Sequence, residues 1–80
     1  MNFDDIMGKL GDIFREVFDD EELTILPETN SDDIEDWDSL EQINLIIAIE
    51  KEFEIKFDLS EVKTLENVGQ MAELIEKKLA

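Results

Sequence analysis

Three observations predict an all-α fold, a four-helix bundle with a short third helix and a long loop between helices 1 and 2. Apolar residues recur at helical spacing in three separate stretches. The starts of the later helices carry a residue able to cap a helix, answered by Glu or Gln three positions on. The one strand-like alternation, Glu54-Ile55-Lys56-Phe57, is too short to make a sheet. Eighty residues fit a single domain spanning 1–80, and a domain of that size hides only roughly 60–65% of its unfolded surface. The core must therefore be economical, with no room for a second domain or a deep enzyme cleft.

Helix 1 is read from Phe3, Ile6, Met7, Leu10, Ile13, Phe14 and Val17, one apolar face running from residue 3 to about 18, locally weakened by Gly8 and Gly11. The acidic run Asp19-Asp20-Glu21-Glu22 leads into Leu23 through Ser31, a connection that contains the chain's single proline. Leu26 and Ile34 are expected to pin this loop. A connection that long in so small a domain is usually functional or disordered, and this one leads to Ser39.

Helix 2 is the run SLEQINLIIAIEKEF, Ser39 to Phe53. Its start is signalled in two overlapping registers: Asp38 as cap answered by Glu41, or Ser39 as cap answered by Gln42. Leu45, Ile49 and Phe53 make one apolar stripe, and Leu40, Ile43 and Ile47 make another. Either the helix is central and buried on most sides, or the second stripe is an exposed contact patch beside Ser39. Asp58 to Val62 reads as a single helical turn capped by Asp58 with Glu61, and helix 4 starts at Asn67 with Gln70 as its partner. It continues through Val68, Met71, Ala72, Ile75 and Leu79, with Lys77 and Lys78 at its negative end.

Composition excludes much. The chain has neither Cys nor His, which removes disulfides, thiol nucleophiles, the usual zinc ligands and the usual general base. No catalytic residue is assigned: Lys51 lies about three turns along the helix from Ser39, too far to activate it. A net charge of −16 repels nucleic acid and anionic lipid and favours basic protein surfaces as partners. The start of the chain carries acids where a secretory signal carries bases, and no apolar run reaches the roughly 18 residues that span a bilayer. A cytoplasmic monomer is expected.

Between Arg15 and Lys51 there is no positive charge, while thirteen residues are Asp or Glu. Ser39 stands in the middle of that stretch at a helix N-terminus, where exposed N–H groups and the helix dipole favour an anion. Ser39 is then either an ordinary cap or the carrier of an externally attached phosphate. So much carboxylate also raises a calcium loop. Asn30 to Glu41 has the length and the final Glu of an EF-hand, with Asn30, Asp32 and Asp36 as donors. Ile34 stands where a ligand belongs, however, and Glu35 where glycine is required. No metal ligand is assigned.

Asp38-Ser39-Leu40, the apolar helix ending Ala48-Ile49-Glu50-Lys51-Glu52-Phe53, Glu54-Ile55, and the Thr64-Leu65…Val68 entry to the last helix together resemble the acyl carrier protein family, over Leu23 to the C-terminus. The resemblance implies a non-enzymatic carrier. Its Ser39, flanked by Asp38 and Leu40, would hold a covalent 4′-phosphopantetheine delivered from coenzyme A by a phosphopantetheinyl transferase. The arm's thiol would carry acyl thioesters for fatty acid or related polyketide and specialised lipid synthesis. Glu41 and Glu50 would be electrostatic recognition residues, and Ile43 and Ile47, with Leu40, apolar contacts for acyl-handling enzymes with basic docking patches.

Two departures bear on subtype. Asp36-Trp37 precedes the Asp-Ser-Leu where fatty acid synthase carriers commonly have a Gly-Ala type pair, which resembles carriers of specialised pathways, and the link after Phe53 is short. The alternatives are an aminoacyl or peptidyl carrier of the same superfamily, disfavoured by the acidity around helix 2, and an acidic metal-binding or docking adaptor with no arm.

Overall fold

The computed structural model describes residues 2–80, and among them the chain forms four helices and no strand: α1 Phe3–Val17, α2 Ser39–Phe53, α3 Leu59–Lys63 and α4 Val68–Leu79. α1 lies along both α2 and α4. Ile6, Leu10 and Phe14 of α1 meet Leu45 and Ile49 of α2 and Val68, Met71 and Ile75 of α4 in one core, all essentially sealed from solvent. Burying a side chain of this kind contributes about 1.5–3 kcal/mol. The expected stripe of α1 packs, as do one of the two stripes of α2 and that of α4 as far as Ile75, while Leu79 at its end is exposed.

Each helix starts on a short polar side chain. Asn2 accepts from the Asp5 N–H at 2.8 Å, and Asn67 accepts from the Gln70 N–H at 2.8 Å. Gln70 reaches back one residue further, its Oε1 accepting from the Glu66 N–H at 2.8 Å. Both satisfy donors that a helix start otherwise leaves unpaired. α2 ends on an acid in the left-handed region, Glu54 at φ 55°, and Asp19, just past the Phe18 cap of α1, also has a positive φ of 52°.

The long loop is anchored at points that its composition does not announce. Ile25 and Ile34 are buried, whereas Leu26 is 52% exposed, so the expected pin at Leu26 belongs to its neighbour. Buried Thr29 accepts from the Leu26 N–H at 2.8 Å through its hydroxyl oxygen. The loop is also stitched to the start of α4: Val68 N–H donates to the Thr29 carbonyl at 2.9 Å and Gly69 N–H to the Pro27 carbonyl at 2.7 Å. Arg15 of α1 donates to the Leu23 carbonyl at 2.9 Å and pairs with Asp12 at 2.7 Å. These bonds hold the path to Ser39 against both α1 and α4.

α3 is held differently, for none of its residues is buried. Glu61 accepts from the Asp58 N–H at 2.8 Å and from Lys78 of α4 at 2.9 Å, with the Lys78 ammonium 5.6 Å from the Phe57 ring centre. The Asp58 N–H first and Lys78 second hold the Glu61 carboxyl below its usual range. The preceding link is tied to α2 by Phe57 N–H, which donates to the Glu50 carboxylate at 2.8 Å.

Candidate functional site

Ser39 is the first residue of α2 and is exposed. Of the two cap registers, the backbone selects the first. Asp38 has extended backbone, its carboxylate accepts from the Glu41 N–H at 2.9 Å, and its carbonyl accepts from Gln42 N–H at 2.9 Å. Ser39 is not the cap, because its own backbone is already helical. The reciprocal half of the box does not form: Asp38 N–H donates to the Asp36 carbonyl at 3.1 Å, and the Glu41 carboxylate accepts from the Asn44 amide at 3.3 Å.

This division of labour leaves the serine free. Among the described residues, the Ser39 hydroxyl and the N–H groups of Ser39 and Leu40 have no hydrogen-bond partner. A free hydroxyl beside two unpaired N–H groups at the positive end of a fifteen-residue helix is chemically suited to carry a phosphodiester.

The serine opens onto a groove of about 570 Å³ between the first turns of α2, the short α3 and the start of α4. Val62, Leu65 and Met71 give it apolar walls, and Trp37, Gln42 and Ile43 line its α2 side. Trp37 is wedged edge-on against Phe14 at 5.2 Å between ring centres and against Phe18 at 6.3 Å. Its indole N–H donates to Gln42 Oε1 at 2.6 Å. Sequence reasoning places the indole beside Ser39 and misses both aromatic contacts, although Phe14 of α1 and Phe18 just past its end, four apart, are the signal for an aromatic socket.

The two stripes of α2 separate cleanly. Leu45, Ile49 and Phe53 are buried, while Leu40, Ile43 and Ile47 are 65%, 57% and 56% exposed. The reading in which α2 is buried on most sides does not hold, because only one face of it enters the core. Glu41 and Glu50 are both half-buried, and Glu50 is partly committed to the Phe57 backbone. The structure thus brings Ser39, Asp38, Leu40, Glu41 and Ile43 together within the first turns, with Ile47 and then Glu50 further along the helix.

The calcium-loop alternative has no support in the geometry. Asn30 Oδ1 accepts from the Asp32 N–H at 2.9 Å and Asp33 accepts from the Asn30 N–H at 3.0 Å, so these oxygens close a turn. Among the described residues, no three ligand-type side chains gather as a metal site needs.

With this geometry in hand, the comparisons converge. Residues 8–75 match the family described as "Phosphopantetheine attachment site". The fold is similar to the solution NMR structure of a holo acyl carrier protein from Geobacter metallireducens, at 46% identity and a TM-score of 0.88 over 92% of this chain and 85% of that one. No curated protein sequence matches the chain significantly.

Proposed function

This chain belongs to the acyl carrier protein family, a carrier with a covalent 4′-phosphopantetheine arm and not an enzyme, and from that premise we propose that Ser39 is the residue that bears the arm. One observation carries the assignment: Asp38 caps the helix and so leaves the Ser39 hydroxyl, at the mouth of the groove, without an internal partner. When bound, the arm supplies a thiol on which acyl groups are held as thioesters.

The chain's own residues do the rest. The Ser39 oxygen forms a bond to the pantetheine-side phosphorus of coenzyme A, the pyrophosphate bond breaks, adenosine 3′,5′-bisphosphate leaves, and the serine proton passes to a base supplied in the complex with the transferase. The unpaired N–H groups of Ser39 and Leu40 then face the new phosphodiester. Carriers of this family are met by a phosphopantetheinyl transferase and by acyl-handling enzymes. We assign their contact surface here to the exposed Leu40, Ile43 and Ile47, with Glu41 and the part-exposed Glu50 steering basic patches toward it. The cargo class we favour is acyl groups of fatty acid or related lipid synthesis, in a cytoplasmic monomer, because the acidity is concentrated on and before α2.

The test is intact mass after incubation with a phosphopantetheinyl transferase and coenzyme A. The parent gains one phosphopantetheinyl group and Ser39→Ala gains none. Modification that persists in Ser39→Ala, on Ser31 or Ser60, refutes the assignment.

A further inference from the structure

We propose that Gln42 is a hydrogen-bond donor to the arm within the groove, and that Trp37 is the positioning residue that turns it to that task. The indole nitrogen can only donate, so the atom of Gln42 that meets it at 2.6 Å is the amide oxygen. That contact fixes which way the amide faces. Its nitrogen, with two N–H donors, is left without an acceptor among the described residues, in a side chain that lines the groove.

Gln42 lies three residues after Ser39, so the two share one helix face with Cβ atoms about 5–6 Å apart. The groove onto which Ser39 opens is the one the Gln42 side chain lines, and the hydroxyl and amide carbonyls of a pantetheine arm are acceptors that match the idle donors. The aromatic socket supplies the rigidity, because Trp37 is gripped by Phe14 of α1 and by Phe18 just past its end. Without the indole N–H, the Gln42 amide is free to rotate and to turn its oxygen toward the arm.

The inference rests on Ser39 bearing the arm, and its test separates the two. Intact mass first establishes that parent, Trp37→Phe and Gln42→Glu all acquire the arm. Exchange of the Gln42 side-chain N–H protons with water is then measured by NMR in apo and holo forms. In the parent, attachment slows this exchange about fivefold, the ratio that one net hydrogen bond is worth. In Trp37→Phe, which keeps a ring against Phe14 but has no N–H to donate, the slowing falls below about twofold, since an unheld amide faces the arm only part of the time.

Gln42→Glu gives a second readout should Trp37→Phe fold poorly. A carboxylate still accepts from the indole but offers no donor, so the arm's own amide resonances move to the positions of free 4′-phosphopantetheine. Equal exchange in apo and holo parent overturns the role of Gln42, as do arm resonances unaltered by Gln42→Glu. Full slowing retained in Trp37→Phe overturns the role of Trp37. A parent that never acquires the arm overturns the attachment reading and this one with it.

Discussion

Gly69→Ala destabilises this protein, even though Ala is the better helix former. A Cβ at Gly69 would stand 2.9 Å from the Pro27 carbonyl oxygen, 3.1 Å from its Cβ and 3.3 Å from its Cα. Two of those atoms are backbone, and the third belongs to a rigid ring, so no rotamer change relieves the clash. The loop must retreat by a few tenths of an ångström. Doing so stretches the 2.7 Å bond from Gly69 N–H to Pro27 and the 2.9 Å bond from Val68 N–H to Thr29. Overpacking of this kind costs about 1–3 kcal/mol. The upper part of that range applies against backbone, and the helix gain of Ala over Gly offsets about 0.5–1 kcal/mol.

The net loss is about 1–2 kcal/mol, which for a domain of this size lowers Tm by roughly 4–16 °C. Gly8→Ala is the internal control, since nothing lies within 4 Å of its added Cβ on the exposed side of α1. It should raise stability by about 0.5–1 kcal/mol. Thermal melts followed by circular dichroism, with urea titrations to exclude a change in m-value, read both variants. Gly69→Ala melting at or above the parent would refute the argument that the loop and α4 meet backbone to backbone.

Ile43→Asp should slow arm transfer about fivefold or more, the penalty of a lost interface anchor, with Tm nearly unchanged because the side chain is exposed. Glu41→Lys should slow it at low salt and much less at high salt, as a screened steering charge does; stopped-flow or discontinuous transferase assays decide both. Raising salt to about 0.15 M, where the screening length is roughly 8 Å, should raise Tm, because sixteen net negative charges repel in the compact state; a flat or falling Tm would mean that specific ion pairs hold the bundle. Glu61 has its folded-state carboxyl held low, so its contribution to stability is complete above the ordinary glutamate range and is lost as pH falls through the lowered value. Lys78→Ala should move the Glu61 titration midpoint, followed by carboxyl carbon NMR, upward but only part of the way, since the Asp58 N–H remains the larger cause.

Most of the fold was legible because its signals repeat. α2 was bounded at Ser39 and Phe53 by a sustained helical period that begins at a cap, and α4 by Asn67 in the same way. What escaped the sequence reading were single choices with no period behind them. Asp38 and Ser39 offered cap registers one residue apart, and only the backbone angles at Asp38 distinguish them. In the loop, Ile25 and Leu26 are adjacent and equally apolar, so nothing in the pattern says which turns inward. The exposed stripe Leu40, Ile43 and Ile47 was visible, but its exposure depended on how many helices cover α2. Trp37 on Gln42 and Glu50 on the Phe57 backbone join a helix to the segment just outside it, and no spacing rule within one element predicts them.

The manner in which α3 is attached has a consequence for how the molecule fluctuates. A wall with no buried side chain, clasped at its edges by Glu61–Lys78 and Glu50–Phe57, can detach without exposing the core that α1, α2 and α4 share. Its opening free energy is set by a few polar contacts at its edges and is well below that of global unfolding. The amides of Leu59 to Lys63 therefore belong to a separate, weakly protected unit of hydrogen exchange. The groove beside Ser39 inherits that softness on one side only, its α2 side staying as rigid as the bundle itself.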